Sequence, residues 1–212
     1  MSTIDSLQTA AAGLRQKAGA GLPPLLAAPL RPRVRGRAIR QVCPSLTPRD
    51  ARRIGRSLGP AFMRHGITSP PRAAAAVAQF AHESAGYRTT TEFASGAAYE
   101  GRRDLGNVHP GDGVRFKGRG YIQITGRANY TAVSKAFKHD FTARPTDLAE
   151  PRWAAMASAW WWTNHGCNEI ADSGDFVALT RRINGGTTGL ADRQALHARA
   201  RAVAAQLVPR RF

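Results

Sequence analysis

Acidic residues are scarce in this 212-residue chain: 14 Asp and Glu stand against 31 Lys and Arg, giving a formal net charge of +17. So large an excess excludes polycations as partners and favours polyanions. Cysteine is almost missing. Cys43 and Cys167 have neither metal-ligand spacing nor the density of a disulfide scaffold, so both read as buried thiols, with a bridge between them as the alternative. No apolar run approaches the roughly 18 residues of a membrane span. The opening "MSTIDSLQTAAAGLRQKAG" lacks the basic-then-apolar order of an export signal, so synthesis and initial retention in the cytoplasm are expected. What the chain does have is enough apolar residues, 42%, for one substantial core, and a monomer is expected.

Composition divides the chain near residue 41. Ile4, Leu7, Ala11 and Leu14 recur at helical spacing behind a Ser2/Asp5 capping pattern, which predicts a short amphipathic helix over about residues 3 to 17. The next stretch, "GAGLPPLLAAPLRPRVRGRAIR", carries four prolines, three glycines and a comb of Arg31, Arg33, Arg35, Arg37 and Arg40. Residues 1–41 are therefore expected to be a basic Pro/Arg-rich arm, read either as a solvated, partly disordered segment or as a contact for anionic wall or outer-membrane polymers, with residues 42–212 as the catalytic domain.

From residue 42 the punctuation is helical. Thr47, Pro48 and Asp50 start one helix that stops at Gly66; Ser69, Pro70 and Pro71 start "RAAAAVAQFAHESA", which stops at Gly86. On a wheel Glu83 lies about 20° from Ala76 and about 60° from Phe80, with His82 pointing the other way. Desolvation and the negative end of the helix dipole both favour a protonated Glu83, a candidate proton donor. Glu92 follows "RTTT", whose threonines predict an extended segment, and Arg88 with nearby hydroxyls favours its ionised form. Two carboxyls in contrasting surroundings suit a general acid and base. In glycoside hydrolysis a separation of about 6.5 to 9.5 Å means inversion and about 5 to 5.5 Å retention, and spacing along the chain leaves both open.

The stretch "ASGAAYEGRRDLGNVHPGDGVRFKGRGYIQITGRANY", with "AHES" before it and "RRINGGTTGLADRQALHARA" after it, resembles glycoside hydrolase family 19, and more narrowly its endolysin and bacterial branch, over about residues 70 to 205. The resemblance implies a mainly α, lysozyme-like fold with a small extended (β) segment at the cleft. It implies no metal or organic cofactor, and inverting cleavage of β-1,4 bonds between N-acetylated sugars. Glu83 in "AHES" resembles the general acid, and Glu92 in "TEF" the general base. Gln123 and Thr125 in "IQIT" resemble the pair that binds sugar and positions the attacking water. In a strand "YIQIT" would place Tyr121, Gln123 and Thr125 on a cleft face and Ile122 and Ile124 on a core face. Asn129 and Asn184 resemble substrate-binding asparagines, and Arg193 an arginine that organises the carboxylates.

Glu100 in "YEGRRD" is the rival base, though Arg102, Arg103 and Asp104 point to an ion-pair cluster around it. Tyr99, Tyr121 and Tyr130 suit either sugar stacking or burial with a bonded hydroxyl. Trp160, Trp161 and Trp162 read as packing residues. "HESAG" departs from H-E-x-x-H, so no zinc is expected, and "GDGVRFKGRG" lacks the ending of a phosphate loop. Members of the resembled family divide between chitin and peptidoglycan, and the charge points to peptidoglycan. A phage or prophage endolysin that acts on the wall after release is the expectation, with a chitinase as one alternative. A non-catalytic wall- or nucleic-acid-binding protein is the other; no specific nucleic acid is expected.

Overall fold

The computed structural model describes residues 32–210; the amphipathic helix expected over residues 3 to 17 lies outside them. The helices run in the order α1 (Gly36–Val42), α2 (Pro48–Arg64), α3 (Pro70–Glu83), α4 (Asp112–Arg115), α5 (Arg127–Phe137), α6 (Pro151–Asn164), α7 (Cys167–Ser173), α8 (Phe176–Asn184), α9 (Leu190–Ala202) and α10 (Ala204–Leu207). The mainly helical class expected from the sequence is the one observed.

The starts follow the sequence signals. Thr47 Oγ accepts from the Asp50 N–H at 3.1 Å to begin α2, and Ser69 Oγ accepts from the Arg72 N–H at 3.4 Å to begin α3. Helix α3 is the centre of the core, because Ala73 to Ala81 are all buried and a helix that is apolar on every side must be surrounded. Its alanines let α9 pack closely along it. Phe80 meets Trp162 of α6 edge-on at 5.7 Å and Phe62 of α2 at 6.3 Å, so one side chain joins three helices. Cys43 and Cys167 are buried free thiols, and burial pushes them up to about 11 and about 12 respectively.

The division at residue 41 falls inside α1, and that expectation is corrected. Val34, Ala38, Ile39 and Val42 belong to the core, and Arg33 exchanges backbone hydrogen bonds with Arg210. Proline and glycine bias the chain against long elements, but a seven-residue helix starting at Gly36 escapes that bias. The expected strand "YIQIT" is corrected as well. Arg119 and Ile124 exchange both backbone hydrogen bonds, which closes a reversal made by Gly120 at φ 83° and Gln123 at φ 55°. Only isolated bridges, Thr91 with Arg119 and Arg119 with Ile124, form the extended segment here.

Candidate functional site

The C-terminus of α3 supplies the first cluster. Ser84 caps the helix and the chain turns through Ala85, Gly86 and Tyr87, all at positive φ. The Ser84 hydroxyl donates to Phe80 O at 2.6 Å and accepts from the Tyr87 N–H at 3.1 Å, which holds the turn. Glu83, with its side chain 7% exposed, lies in an ion pair at 2.5 Å with Arg193, whose side chain is fully buried. The apolar border expected around Glu83 is thus replaced by a counter-charge from α9. Arg193 also donates to Gln79 Oε1 and to Thr188 O. Gln79 Nε2 donates to the Thr180 hydroxyl at 2.9 Å, and that hydroxyl donates to Phe176 O. The series of donors fixes the Gln79 amide with its oxygen toward Arg193. On the opposite side of the same turn, His82 Nδ1 lies 2.6 Å from Asp192.

A second cluster forms where the segment around Glu92 meets the segment around Gly118. Glu92 N–H donates to Gly118 O, and Gly120 N–H donates to Thr90 O, both at 2.9 Å. The Glu92 carboxylate accepts from the Tyr99 hydroxyl at 2.8 Å and from the Gly118 N–H at 3.0 Å. Gln123 Nε2 donates to Gly120 O at 2.9 Å, which turns its Oε1 the other way; the Thr125 hydroxyl donates to Gln123 O at 2.9 Å, which leaves its lone pairs open. A Cβ placed on Gly118 would lie 2.8 Å from Gln123 Oε1 and 3.2 Å from both Glu92 Oε2 and Thr125 Oγ1. Three acceptors from two segments, Glu92 from one and Gln123 and Thr125 from the other, therefore surround one small space. Such a space suits a molecule that donates hydrogen bonds, as water does.

Other expected residues are placed as follows. Asn129 is half-buried and its Nδ2 donates to Thr125 O at 2.8 Å, so it supports the backbone behind Thr125. Asn184 is 1% exposed, and neither end of its amide has a partner among the described residues. A buried amide left unsatisfied is costly. Tyr121 is corrected: it is 2% exposed, packs edge-on against Tyr87 at 5.0 Å and has its hydroxyl against Ser57, so it has no face for a sugar. The reversal at Gln123 turns it into the core. Glu100 is corrected too, both as a base and as a substrate-binding residue. Its two oxygens accept from the Gly111 and Gly113 N–H groups at 2.6 and 2.8 Å, while Arg102 pairs with Asp104 instead. Glu100 clamps the loop before α4. Tyr130, raised to about 12 by burial, donates to Lys117 O and accepts from Arg119, which pins the loop from below.

A cavity of about 420 Å³ lies at the opposite end of α3, lined by residues such as Pro70, Phe176 and His197, and it contains neither glutamate. Hydrogen-bonding geometry rather than concavity marks the site. No group of three or more His, Cys, Asp and Glu that could hold a metal ion occurs among the described residues.

Among solved structures, chitinase C of Streptomyces griseus superposes with a TM-score of 0.65 at 20% identity, covering 81% of this chain and 92% of that one. A bacterial family 19 chitinase gives 0.61 at 19% identity, covering 81% and 94%. The fold is that of the family 19 chitinases. Curated relatives match part of the chain in sequence. A glycosyl hydrolase family 19 domain-containing protein of Haemophilus influenzae is 36% identical over 112 residues, 52% of this chain and 54% of its own. An Arabidopsis thaliana endochitinase is 35% identical over 121 residues, 57% of this chain and 42% of its own. The chain thus spans about half the length of the curated relatives it matches, and no family model matches it.

Gln79 and Gly118 are residues of these clusters that sequence reasoning did not single out, whereas Tyr99, read as a stacking residue or a buried one with a bonded hydroxyl, is buried with its hydroxyl on Glu92. Gln79 sits four positions before Glu83 on the same face of α3, a helical spacing that could have signalled it. Gly118 carries no signal of its own, since its role appears only when Glu92 meets Gln123 and Thr125 from another segment.

Proposed function

We propose that the protein is a glycoside hydrolase that cleaves β-1,4 bonds of bacterial peptidoglycan by single displacement, with the role of a phage or prophage endolysin made in the host cytoplasm and acting on the wall after release. The observation that carries the reading is the convergence of Gln123 Oε1, Glu92 Oε2 and Thr125 Oγ1 over Gly118. Water held there would give one hydrogen to Thr125 or Gln123 and the other to Glu92, to which it would lose that proton as its oxygen attacks the anomeric carbon. Glu83 would protonate the leaving oxygen, and Arg193 would stabilise the carboxylate that remains. Asn184, with an unpaired donor and acceptor, fits an acetamido group. The net charge of +17 favours peptidoglycan and its anionic companions over neutral chitin. The names of the plant relatives, endochitinases, favour chitin as the second reading.

Mass spectrometry of borohydride-reduced products from purified wall and from chitin oligosaccharides tests this. Muropeptides with newly reduced sugar ends, absent with Glu83→Gln and with Glu92→Gln, are expected. Products from chitin alone would make it a chitinase, and none from either would make it a binding protein.

A further inference from the structure

The turn that follows Glu83 has a second face, where a concavity of about 300 Å³ opens between the ends of α1 and α3 and the side of α9. Val42, Cys43, Ala81 and Leu196, all buried, form its apolar floor. Charged side chains stand around that floor. Asp192, Leu196 and Arg199 occupy positions i, i+4 and i+7 of α9, a single stripe of the helix, so a carboxylate and a guanidinium border the same hollow about 10 Å apart along the axis. Arg199 Nε donates to Val42 O at 2.9 Å, and Arg88 Nε donates to Ala85 O at 3.0 Å. One donor of each guanidinium is thereby spent on holding it at the rim, and the terminal nitrogens remain for a ligand. Asp192 is held as well, since its Oδ2 lies 2.6 Å from His82 Nδ1 and the ring is wedged against Gly189, where a Cβ would lie 2.5 Å from Cε1. Its other oxygen can accept from a second donor. The hollow contains neither Glu83 nor Glu92.

A ligand that matches this layout carries a carboxylate for the guanidinium forks, an aliphatic middle for the floor and an ammonium group for Asp192. A neutral polysaccharide has neither charge. The peptide stems of peptidoglycan have both, because they bear free carboxylates and a diamino acid whose aliphatic chain ends in an amine. Four extended residues span up to about 13 Å, and a helix with its side chains is about 10 to 12 Å across, so a stem on a sugar beside Glu83 can reach round the end of α3. We propose that Arg88, Asp192, Leu196 and Arg199 form a binding site for the peptide stem of peptidoglycan, with a stem carboxylate on the two guanidiniums and the amine of the diamino acid on Asp192. The site rests on the peptidoglycan reading and adds to it the groups by which wall would be told from chitin.

The test is calorimetric titration of the full-length protein with a synthetic stem tetrapeptide, acetylated at its N-terminus and carrying a lysine and free carboxylates. Binding with a Kd below about 1 mM is expected. Amidation of the peptide's carboxylates should weaken it about tenfold, and so should Arg199→Gln with the unmodified peptide. Acetylation of the lysine should weaken binding to the parent about fivefold and leave binding to Asp192→Asn unchanged, which ties the amine to that carboxylate. Lys135→Gln/Arg181→Gln removes charge from exposed positions elsewhere and should bind within about twofold of the parent. Absence of binding by the parent, equal affinity for either modified peptide, or equal losses in Arg199→Gln and the Lys135→Gln/Arg181→Gln control would overturn the site. Melting curves show whether each variant is folded, and the modified peptides test the site on the parent protein alone. The titration needs no turnover: peptide binding without release of muropeptides would sink the glycosidase reading alone, and release without peptide binding would sink the site alone.

Discussion

Gly118 matters for what it leaves open. Its backbone lies outside the left-handed region, so alanine is compatible with the local conformation, yet the added methyl would sit within 3.2 Å of Gln123, Glu92 and Thr125 oxygens. Gly118→Ala is therefore expected to leave the melting temperature within a few degrees of the parent and to lower turnover by about a hundredfold or more, because a misplaced water removes oriented attack. Near-normal turnover on purified wall would remove water from that space. Gln79 is a second case, since its amide joins Arg193 to Thr180 inside the core. Gln79→Ala would leave a buried guanidinium N–H without an acceptor, and urea unfolding should show a loss of about 1 to 3 kcal/mol. The glutamates, Gln123 and Thr125 were legible in the sequence as members of motifs. Tyr121 and Glu100 were misread because a motif carries residue types without showing which way each side chain turns.

Elements announced by strong end signals were legible, and those made by short-range closure were not. Thr47 with Asp50, and Ser69 with two prolines, marked α2 and α3 where they occur. The reversal at residues 119–124 was hidden, because alternating apolar and polar residues fit a strand while a pair of backbone hydrogen bonds between Arg119 and Ile124 made a tight turn. Helix α1 was hidden by the prolines before it. Ile39 of α1 is completely buried, so Ile39→Ala should cost about 2 to 4 kcal/mol in urea unfolding. Deletion of residues 1–41 would remove Val34, Ala38 and Ile39 from the core together with the Arg33 pairing to Arg210. Loss of a cooperative thermal transition is the expected result, and an unchanged transition would show that α1 is dispensable.

Over the whole molecule, the buried His65, the half-buried His197 and the buried carboxylate of Asp112 predict acid sensitivity in two stages. Burial first, and Arg64 second, lower His65 from 6.5 to about 4; burial and then Arg201 lower His197 to about 4. The unfolded chain binds these protons first, so stability present above about pH 6.5 is lost as pH falls toward 4. The His65 part amounts to about 3 kcal/mol at most. Asp112, hydrogen-bonded and paired to Arg127, is lowered from 3.8 to about 2, so its stabilisation is lost between those values as pH falls further. Urea midpoints measured from pH 8 to 3 should decline through the upper range, and His65→Phe, placed edge-on to Phe137, should flatten that decline. A parent midpoint independent of pH there would contradict the shielding of His65 from water. Sequence alone determined the charge balance, the helical ends and the motif residues, because each depends on residue types at short spacing. Only the tertiary structure decided that Arg193 faces Glu83, that three acceptors meet over Gly118, and that α1 belongs to the core. Those outcomes depend on close packing between segments far apart in the chain, and local periodicity carries no record of it.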